Sequence, residues 1–415
     1  MRRLKLSQKT SPNRISIERA GRSMNSASDL GSSPARAVGT VRGRKLMFLV
    51  TEDWYFVSHR LELAIAARQA GYDVMVATRV DRHGKRITDA GLALRQVAFN
   101  RGGHNPLQEL RTLVHLVRLY RREAPDIVHH VALKPVIYGS LAARIVGTRS
   151  VVNALAGLGY VFSSVGLRAK MLRWIIKPAL KFALGAKNTR LIVQNSDDRE
   201  RIIAEGLAGA RSISVIRGSG VDPGAYRQVT VASETPLVIL PARLLWEKGV
   251  GEFVEAARLL RLKGIKARFV LVGKPDLANP ASVNELEIDA WVSEGVVESW
   301  GWQEDMPSVF AQAQIVCLPS HHEGLPKALL EAAASGCAIV ATDIPGCRQI
   351  VQHGVTGWLV PARDAQALAT ALQQAIEQPD LRQKYGASAR VLVAADFSIS
   401  RVARETIAVY DKVLA

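Results

Sequence analysis

A repeated alternation of short apolar runs with amphipathic helical stretches constrains this chain more than any other feature. Candidate strands fall at 46–50, 73–78, 92–97, 126–131, 150–155, 190–195 and 212–217, and a second series at 237–243, 267–273, 296–301, 314–320, 338–342 and 356–360. Apolar runs of this length, each separated from the next by a helix, read as buried parallel strands, because parallel neighbours need a crossover and crossover helices cover both faces. The polar stretch from Pro223 to Thr235 interrupts the series as an interdomain linker. The expected fold is α/β, with two Rossmann-like doubly wound parallel-sheet domains, 45–225 and 226–395, facing a central cleft. A periodic helix, Ser398 to Leu414, occupies the final segment, 396–415.

Composition agrees with this. A chain of 415 residues, 48% hydrophobic and 22% charged, can bury two cores. No apolar run reaches the roughly eighteen residues of a membrane span. Cys317, Cys337 and Cys347 show no metal-ligand spacing and no even pairing, which points to core packing in a reducing compartment. The net charge of +18 is uneven, since the first 45 residues hold eleven Lys or Arg against Glu18 and Asp29. Residues 1–44, rich in Ser, Gly and Arg, read as a disordered basic arm without the apolar core of a secretory signal. Nucleic acid is not an expected partner: half of the excess charge lies in the arm, and no aromatic-basic platform or zinc spacing accompanies it.

Two strand-to-helix turns in the second half carry the chemistry. Glu323-Gly324-Leu325-Pro326-Lys327-Ala328-Leu329-Leu330-Glu331 follows the apolar run Ile315–Pro319 and opens a helix expected from about Pro326 to Ser335. Free amides at Gly324, Leu325 and Lys327 then point out of a helix N-terminus, where an anion is attracted. Pro326 suits the first helical position because it has no N–H to lose there. Upstream, Arg243 and Lys248 leave the carboxyl edge of the run Leu237–Leu240, ahead of a helix at about 249–262. Open parallel sheets bind ligands at that edge, and two cations there suit a diphosphate. Taken singly, the same residues also fit a capped turn and surface charges.

Together, Arg243 with Lys248 and Glu323 with Glu331 eight positions later resemble the signature of the retaining glycosyltransferases of the GT-B fold, of the group 1 or family 4 type. That family includes glycogen synthases and bacterial mannosyl- and N-acetylhexosaminyltransferases. The resemblance runs from about Lys45 to the C-terminus. It implies that Glu331 accepts hydrogen bonds from nucleotide ribose hydroxyls and that Arg243 and Lys248 hold the diphosphate. It also implies that Glu323, with the Gly324, Leu325, Pro326 and Lys327 turn, meets the donor sugar and distal phosphate. Lys327 stands where relatives commonly carry a small polar residue. Trp302, in Gly301-Trp302-Gln303 after another strand, is a candidate edge for the base or for packing. In the resembled family the last helix crosses back to brace the first domain.

No Asp-x-Asp motif stands at a strand end, and Asp197-Asp198 reads as a helix N-terminal cap after Asn195-Ser196. Neither metal nor cofactor is expected beyond the nucleotide sugar, since cations and a helix N-terminus can meet the leaving diphosphate. Catalysis is assigned to Glu323, as a positioning residue, and to a histidine of the first half. His129 and His130 end one strand and alternate in direction, and His130 is placed near the cleft. His59 is a second candidate, and Asn153, Gly157 and Gly159, after another strand, mark an acceptor loop.

Residues 167–187 place Lys170, Arg173, Lys177 and Lys181 along one helical face beside Trp174 and Phe182, with Pro178 expected to kink the helix. Such a face suits an anionic membrane surface, and equally a core helix with a solvated basic stripe. The expected function is metal-independent, retaining transfer of a hexose or N-acetylhexosamine from a UDP-type sugar to a polyprenyl-diphosphate-linked sugar, at the cytoplasmic face of the membrane. A nucleotide-sugar epimerase or hydrolase on the same fold is the alternative.

Overall fold

The computed structural model describes residues 43–99, 106–155, 167–227, 235–277 and 279–415. The first sheet has seven parallel strands, β1 (Lys45–Glu52), β2 (Asp73–Arg79), β3 (Ala93–Gln96), β4 (Ile127–Val131), β5 (Ser150–Leu155), β6 (Thr189–Val193) and β7 (Ile213–Val215). Their spatial order is β3-β2-β1-β4-β5-β6-β7. The second sheet has six, β8 (Leu237–Pro241), β9 (Arg268–Val272), β10 (Glu298–Gly301), β11 (Ile315–Leu318), β12 (Ala338–Thr342) and β13 (Trp358–Val360), ordered β10-β9-β8-β11-β12-β13. All pairings within both sheets are parallel.

These are the two doubly wound sheets expected from the alternation. Strands such as β4, β8 and β12 are buried at every position, as strands covered on both faces must be. Strand order reverses between β1 and β4 and again between β8 and β11. Just beyond the carboxyl ends at such a reversal the flanking loops part, leaving the crevice that open α/β sheets use for ligands.

The last helix, Ile399–Leu414, packs on the helix Leu61–Gln69 and on β5 rather than on the second sheet. Val402, Ala403, Val409, Tyr410 and Leu414 share one apolar core with β1 residues Leu46, Phe48 and Val50. Polar contacts fix its register, with the Tyr72 hydroxyl donating to Asp411 at 3.0 Å and the Ser150 hydroxyl to the Val413 carbonyl at 2.9 Å. All three cysteines are buried and unpaired. The helix Leu167–Leu184 continues through Pro178 as one element.

Candidate active site

The donor turn begins where β11 ends. The helix it opens spans Lys327–Ala334, one residue shorter at each end than expected. Pro326 sits at the capping position, with an extended backbone (φ −72°, ψ 116°), and not in the first turn. The first intrahelical bonds are donated by Leu329 and Leu330 to the Pro326 carbonyl, at 3.1 and 3.4 Å. Amides upstream of these have no intrahelical acceptor, and Gly324, Leu325, Pro326, Lys327 and Ala328 all line a cleft of about 1230 Å³.

Charges converge on the same cleft in pairs. The Lys248 ammonium lies 2.6 Å from Glu323 Oε1, which also accepts from the Ser320 hydroxyl at 2.8 Å. Glu331 Oε1 receives the Tyr226 hydroxyl at 2.9 Å and the Lys327 ammonium at 2.9 Å. Arg243 reaches Asp276 at 2.6 Å. In both glutamates Oε1 meets a cation, and the second oxygen, Oε2, carries no hydrogen bond among the described residues.

Gly249 explains how Lys248, eleven positions past the start of β8, meets a turn that follows another strand. Its φ is +75°, and a Cβ there would stand 2.1 Å from the Pro319 carbonyl oxygen. Only a glycine lets the loop after β8 press on the end of β11, bringing Lys248 onto Glu323. Gly346 plays the same part behind the turn, where a Cβ would lie 2.6 Å from the Glu323 carbonyl oxygen.

The wall from the first sheet differs from the expectation. His130 is fully buried, its Nδ1 2.8 Å from Asn153 Oδ1 and its Nε2 3.0 Å from the Tyr120 hydroxyl. It does not line the cleft, and its placement there is corrected. Asn153 is likewise buried beside it and is not an acceptor contact. The cause is the position of β4 at the centre of the sheet, with both of its faces covered: His129, on the other face, bonds Tyr410 at 2.6 Å. Burial pushes the His130 imidazole down to about 4 and that of His129 well below its usual range.

His59 does line the cleft. Its ring stacks on Tyr55 with centroids 4.2 Å apart, and its Nδ1 is sealed from solvent without a hydrogen-bond partner. Burial, then the Lys327 ammonium facing it across the cleft and the adjacent Arg60, push it down to about 3, so it is neutral at physiological pH. Trp302 also lines the cleft, 48% exposed, with the Lys274 ammonium 5.7 Å from its ring centre. Gly157 and Gly159 lie outside the described residues.

Two family models match the chain: "Glycosyl transferases group 1" over residues 235–378 and "Glycosyl transferase 4-like" over residues 45–196. The chain belongs to this glycosyltransferase family and has the GT-B fold. Over 368 residues it is 27% identical to the N,N'-diacetylbacillosaminyl-diphospho-undecaprenol alpha-1,3-N-acetylgalactosaminyltransferase of Campylobacter jejuni, covering 86% of this chain and 95% of that one. It is 28% identical over 279 residues to the UDP-Gal:alpha-D-GlcNAc-diphosphoundecaprenol alpha-1,3-galactosyltransferase of Escherichia coli, covering 64% of this chain and 70% of the other. Among solved structures, Anabaena HepE in complex with UDP and glucose superposes with a TM-score of 0.72 at 18% identity, covering 89% of this chain and all of that one. A glycosyltransferase from Rickettsia africae gives a TM-score of 0.70 at 18% identity, covering 90% and 99%.

Sequence reasoning missed Tyr226, which lines this glycosyltransferase's cleft, and Asn195, which braces its donor turn. Tyr226 sits in the stretch that reads as linker, yet its side chain is buried and bonds Glu331. No local pattern marks it, because a single tyrosine in a polar segment has no period. Asn195, and not the Asp197-Asp198 pair, caps its helix, accepting from the Asp198 amide at 2.7 Å. Its amide nitrogen also donates to the Gly324 carbonyl at 3.0 Å, joining the first sheet's loops to the donor turn. The Asn-Ser-Asp-Asp string was the available signal, since Asn ranks with Asp as a cap.

Proposed function

We propose that this glycosyltransferase moves a hexose or N-acetylhexosamine, with retention, from a UDP-sugar to a sugar linked through diphosphate to a polyprenyl lipid. The observation that carries this is the convergence of Arg243, Lys248, Glu323, Glu331 and the Lys327 helix N-terminus on one cleft. Relatives whose names specify undecaprenyl-diphosphate-linked sugars support the acceptor class, and the UDP-bound neighbour supports the nucleotide.

The roles follow from the free atoms. Glu331 Oε2 accepts from a ribose hydroxyl, and Trp302 flanks the base. Arg243, Lys248 and the helix amides surround the diphosphate. Glu323 Oε2 accepts from a hydroxyl of the donor sugar and fixes its face. In the reaction the bond between the anomeric carbon and the β-phosphate oxygen breaks, and a bond to the acceptor oxygen forms on the same face. The acceptor's proton passes to the departing phosphate oxygen. Two cations and a helix N-terminus, preorganised at the leaving group, stabilise the charge that develops there. Divalent metal has no separate task in this scheme. Neutral His59, opposite Lys327, can accept a hydrogen bond from a sugar hydroxyl.

The lipid acceptor implies work at a membrane surface. No helix among the described residues is long and apolar enough to cross a membrane. Trp174 is 86% exposed on the helix Leu167–Leu184, and Phe182, half exposed on the same helix, lies beneath the Arg144 guanidinium at 3.8 Å from its ring centre. Exposed aromatics beside Arg144 and Lys181 suit an anionic bilayer surface, making the enzyme peripheral on the cytoplasmic leaflet. The test is transfer from a panel of UDP-sugars to a farnesyl-diphosphate-linked N-acetylhexosamine, with the anomeric configuration of the product read by NMR. An inverted product, or donor turnover without transfer, would refute the proposal.

A further inference from the structure

The cleft exceeds the roughly 1,000 Å³ at the upper end of pockets that enclose one drug-sized ligand. Its wall opposite the donor turn contains side chains that no step above employs. We propose that Trp54, Tyr55 and Arg86 form the acceptor subsite, with the acceptor's pyranose ring against the two aromatics, its diphosphate on Arg86, and Asp53 as the positioning residue. This rests on the transferase reading above.

The wall is assembled from the helix Asp53–His59 and the loop after β2 by one buried carboxylate. Asp53, immediately after β1, is 0% exposed. Its Oδ1 accepts from the Trp54 amide at 2.7 Å, and its Oδ2 from the amides of Asp81 and His83, both at 2.8 Å. A buried carboxylate needs such donors, and here they come from the first turn of the helix Asp53–His59, which follows β1, and from the loop after β2. The helix start and the loop are thereby held together. The helix Gly84–Asp89 starts directly after His83 and brings Arg86 to the cleft.

Arg86 is exposed and carries no ion pair among the described residues. Arg79, Lys85 and Lys134 nearby are engaged, with Glu52, Asp89 and Glu109, whereas Arg82, also without an ion pair among the described residues, does not line the cleft. A guanidinium without a protein partner offers a planar fork that matches phosphate oxygens. Beside it, Trp54 and Tyr55 meet edge to face at 5.8 Å, and Tyr55 is held by its stack on His59. Half-buried aromatics of this kind present an apolar face with polar edges, which suits the C–H face of a pyranose flanked by hydroxyls.

The experiment uses the full chain and three readouts: the thermal shift on adding UDP, KM and kcat with a farnesyl-diphosphate-linked N-acetylglucosamine, and the same constants with p-nitrophenyl N-acetylglucosaminide, which lacks the diphosphate. Arg86→Ala is expected to raise the KM of the diphosphate acceptor about tenfold, with kcat within about twofold, the UDP shift retained and a smaller penalty on the nitrophenyl acceptor. Asp53→Asn and Trp54→Ala are expected to raise KM for both acceptors while UDP still stabilises the protein. Should Trp54→Ala not fold, Trp54→Phe, which keeps an aromatic face, is expected to raise both KM values by less than Asp53→Asn. An unchanged diphosphate-acceptor KM in Arg86→Ala overturns the subsite, as does loss of the UDP shift in the Asp53 or Trp54 variants. Wild-type protein that binds UDP but transfers to neither acceptor overturns the underlying function instead.

Discussion

Lys248 and Glu323, seventy-five residues apart in sequence, form a 2.6 Å ion pair at the mouth of the second sheet. Both side chains are largely buried, with 18% and 12% of their surface exposed, so the pair is preorganised and not a fluctuating surface contact. On the proposed reading it couples the cation that meets the phosphate to the carboxylate that meets the sugar. Glu323→Ala is therefore expected to lower kcat about a hundredfold while changing UDP affinity by less than about threefold. Steady-state kinetics beside a UDP titration would check this, and a proportionate loss of both would contradict the division of roles.

Glu331 should behave in the opposite way. Glu331→Ala removes the proposed ribose acceptor and also strands the buried Tyr226 hydroxyl, at a cost of about 1–3 kcal/mol in stability. Combining it with Tyr226→Phe should recover much of the melting temperature without recovering UDP affinity. Calorimetry of the single and double variants separates the two effects.

Gly249→Ala tests the loop contact. A methyl group at φ +75°, 2.1 Å from the Pro319 oxygen, forces the loop away and takes Lys248 with it. The expected result is a loss of at least about 2 kcal/mol in stability together with weaker UDP binding. Gly264→Ala is the control, since that glycine also has positive φ (+74°) but nothing within 4 Å of its Cβ position.

Acid should destabilise the first sheet through its histidines. Burial pushes the folded His130 imidazole down to about 4 from its ordinary 6.5, so between those pH values the unfolded chain binds more protons. Stability then rises with pH across that window, is complete above about 6.5, and is lost as pH falls toward 4, by about 3 kcal/mol from this residue alone. His129, depressed in the same direction, adds to the slope. Denaturant midpoints measured from pH 7 to pH 4 should show the decline, and His130→Gln should flatten it.

If Arg243, Lys248 and the helix N-terminus compensate the leaving diphosphate as proposed, a simple expectation about metals follows. Excess EDTA should leave the initial rate of transfer within about twofold, whereas Arg243→Ala should lower it by at least about tenfold. A rate abolished by EDTA and restored by magnesium would remove metal independence from the scheme.

Much of this was legible in the linear chain because the signals are local. Apolar runs of four to eight residues between amphipathic stretches specify strands buried on both faces, and thirteen such runs became thirteen strands in two parallel sheets. Arg243, Lys248 and Glu323 follow the carboxyl ends of β8 and β11, where a parallel sheet opens its crevice, and Glu331 lies on the helix that follows β11; all four line one cleft. Alternation along β4 likewise separates His129 from His130.

Which atoms meet was decided only by folding. Alternation cannot say whether either face of β4 is open, and both are closed: Tyr410 arrives from the far end of the chain on one side and Tyr120 from a crossover helix on the other. The histidine left at the cleft is His59, facing a lysine that enters from the second sheet. Tyr226 reached Glu331, and Asp53 gathered three amides from its own helix start and the loop after β2, through contacts between segments that have no shared sequence period. Local pattern follows from backbone geometry over a few residues, whereas partner choice depends on how two sheets pack and on which polar groups that packing removes from water.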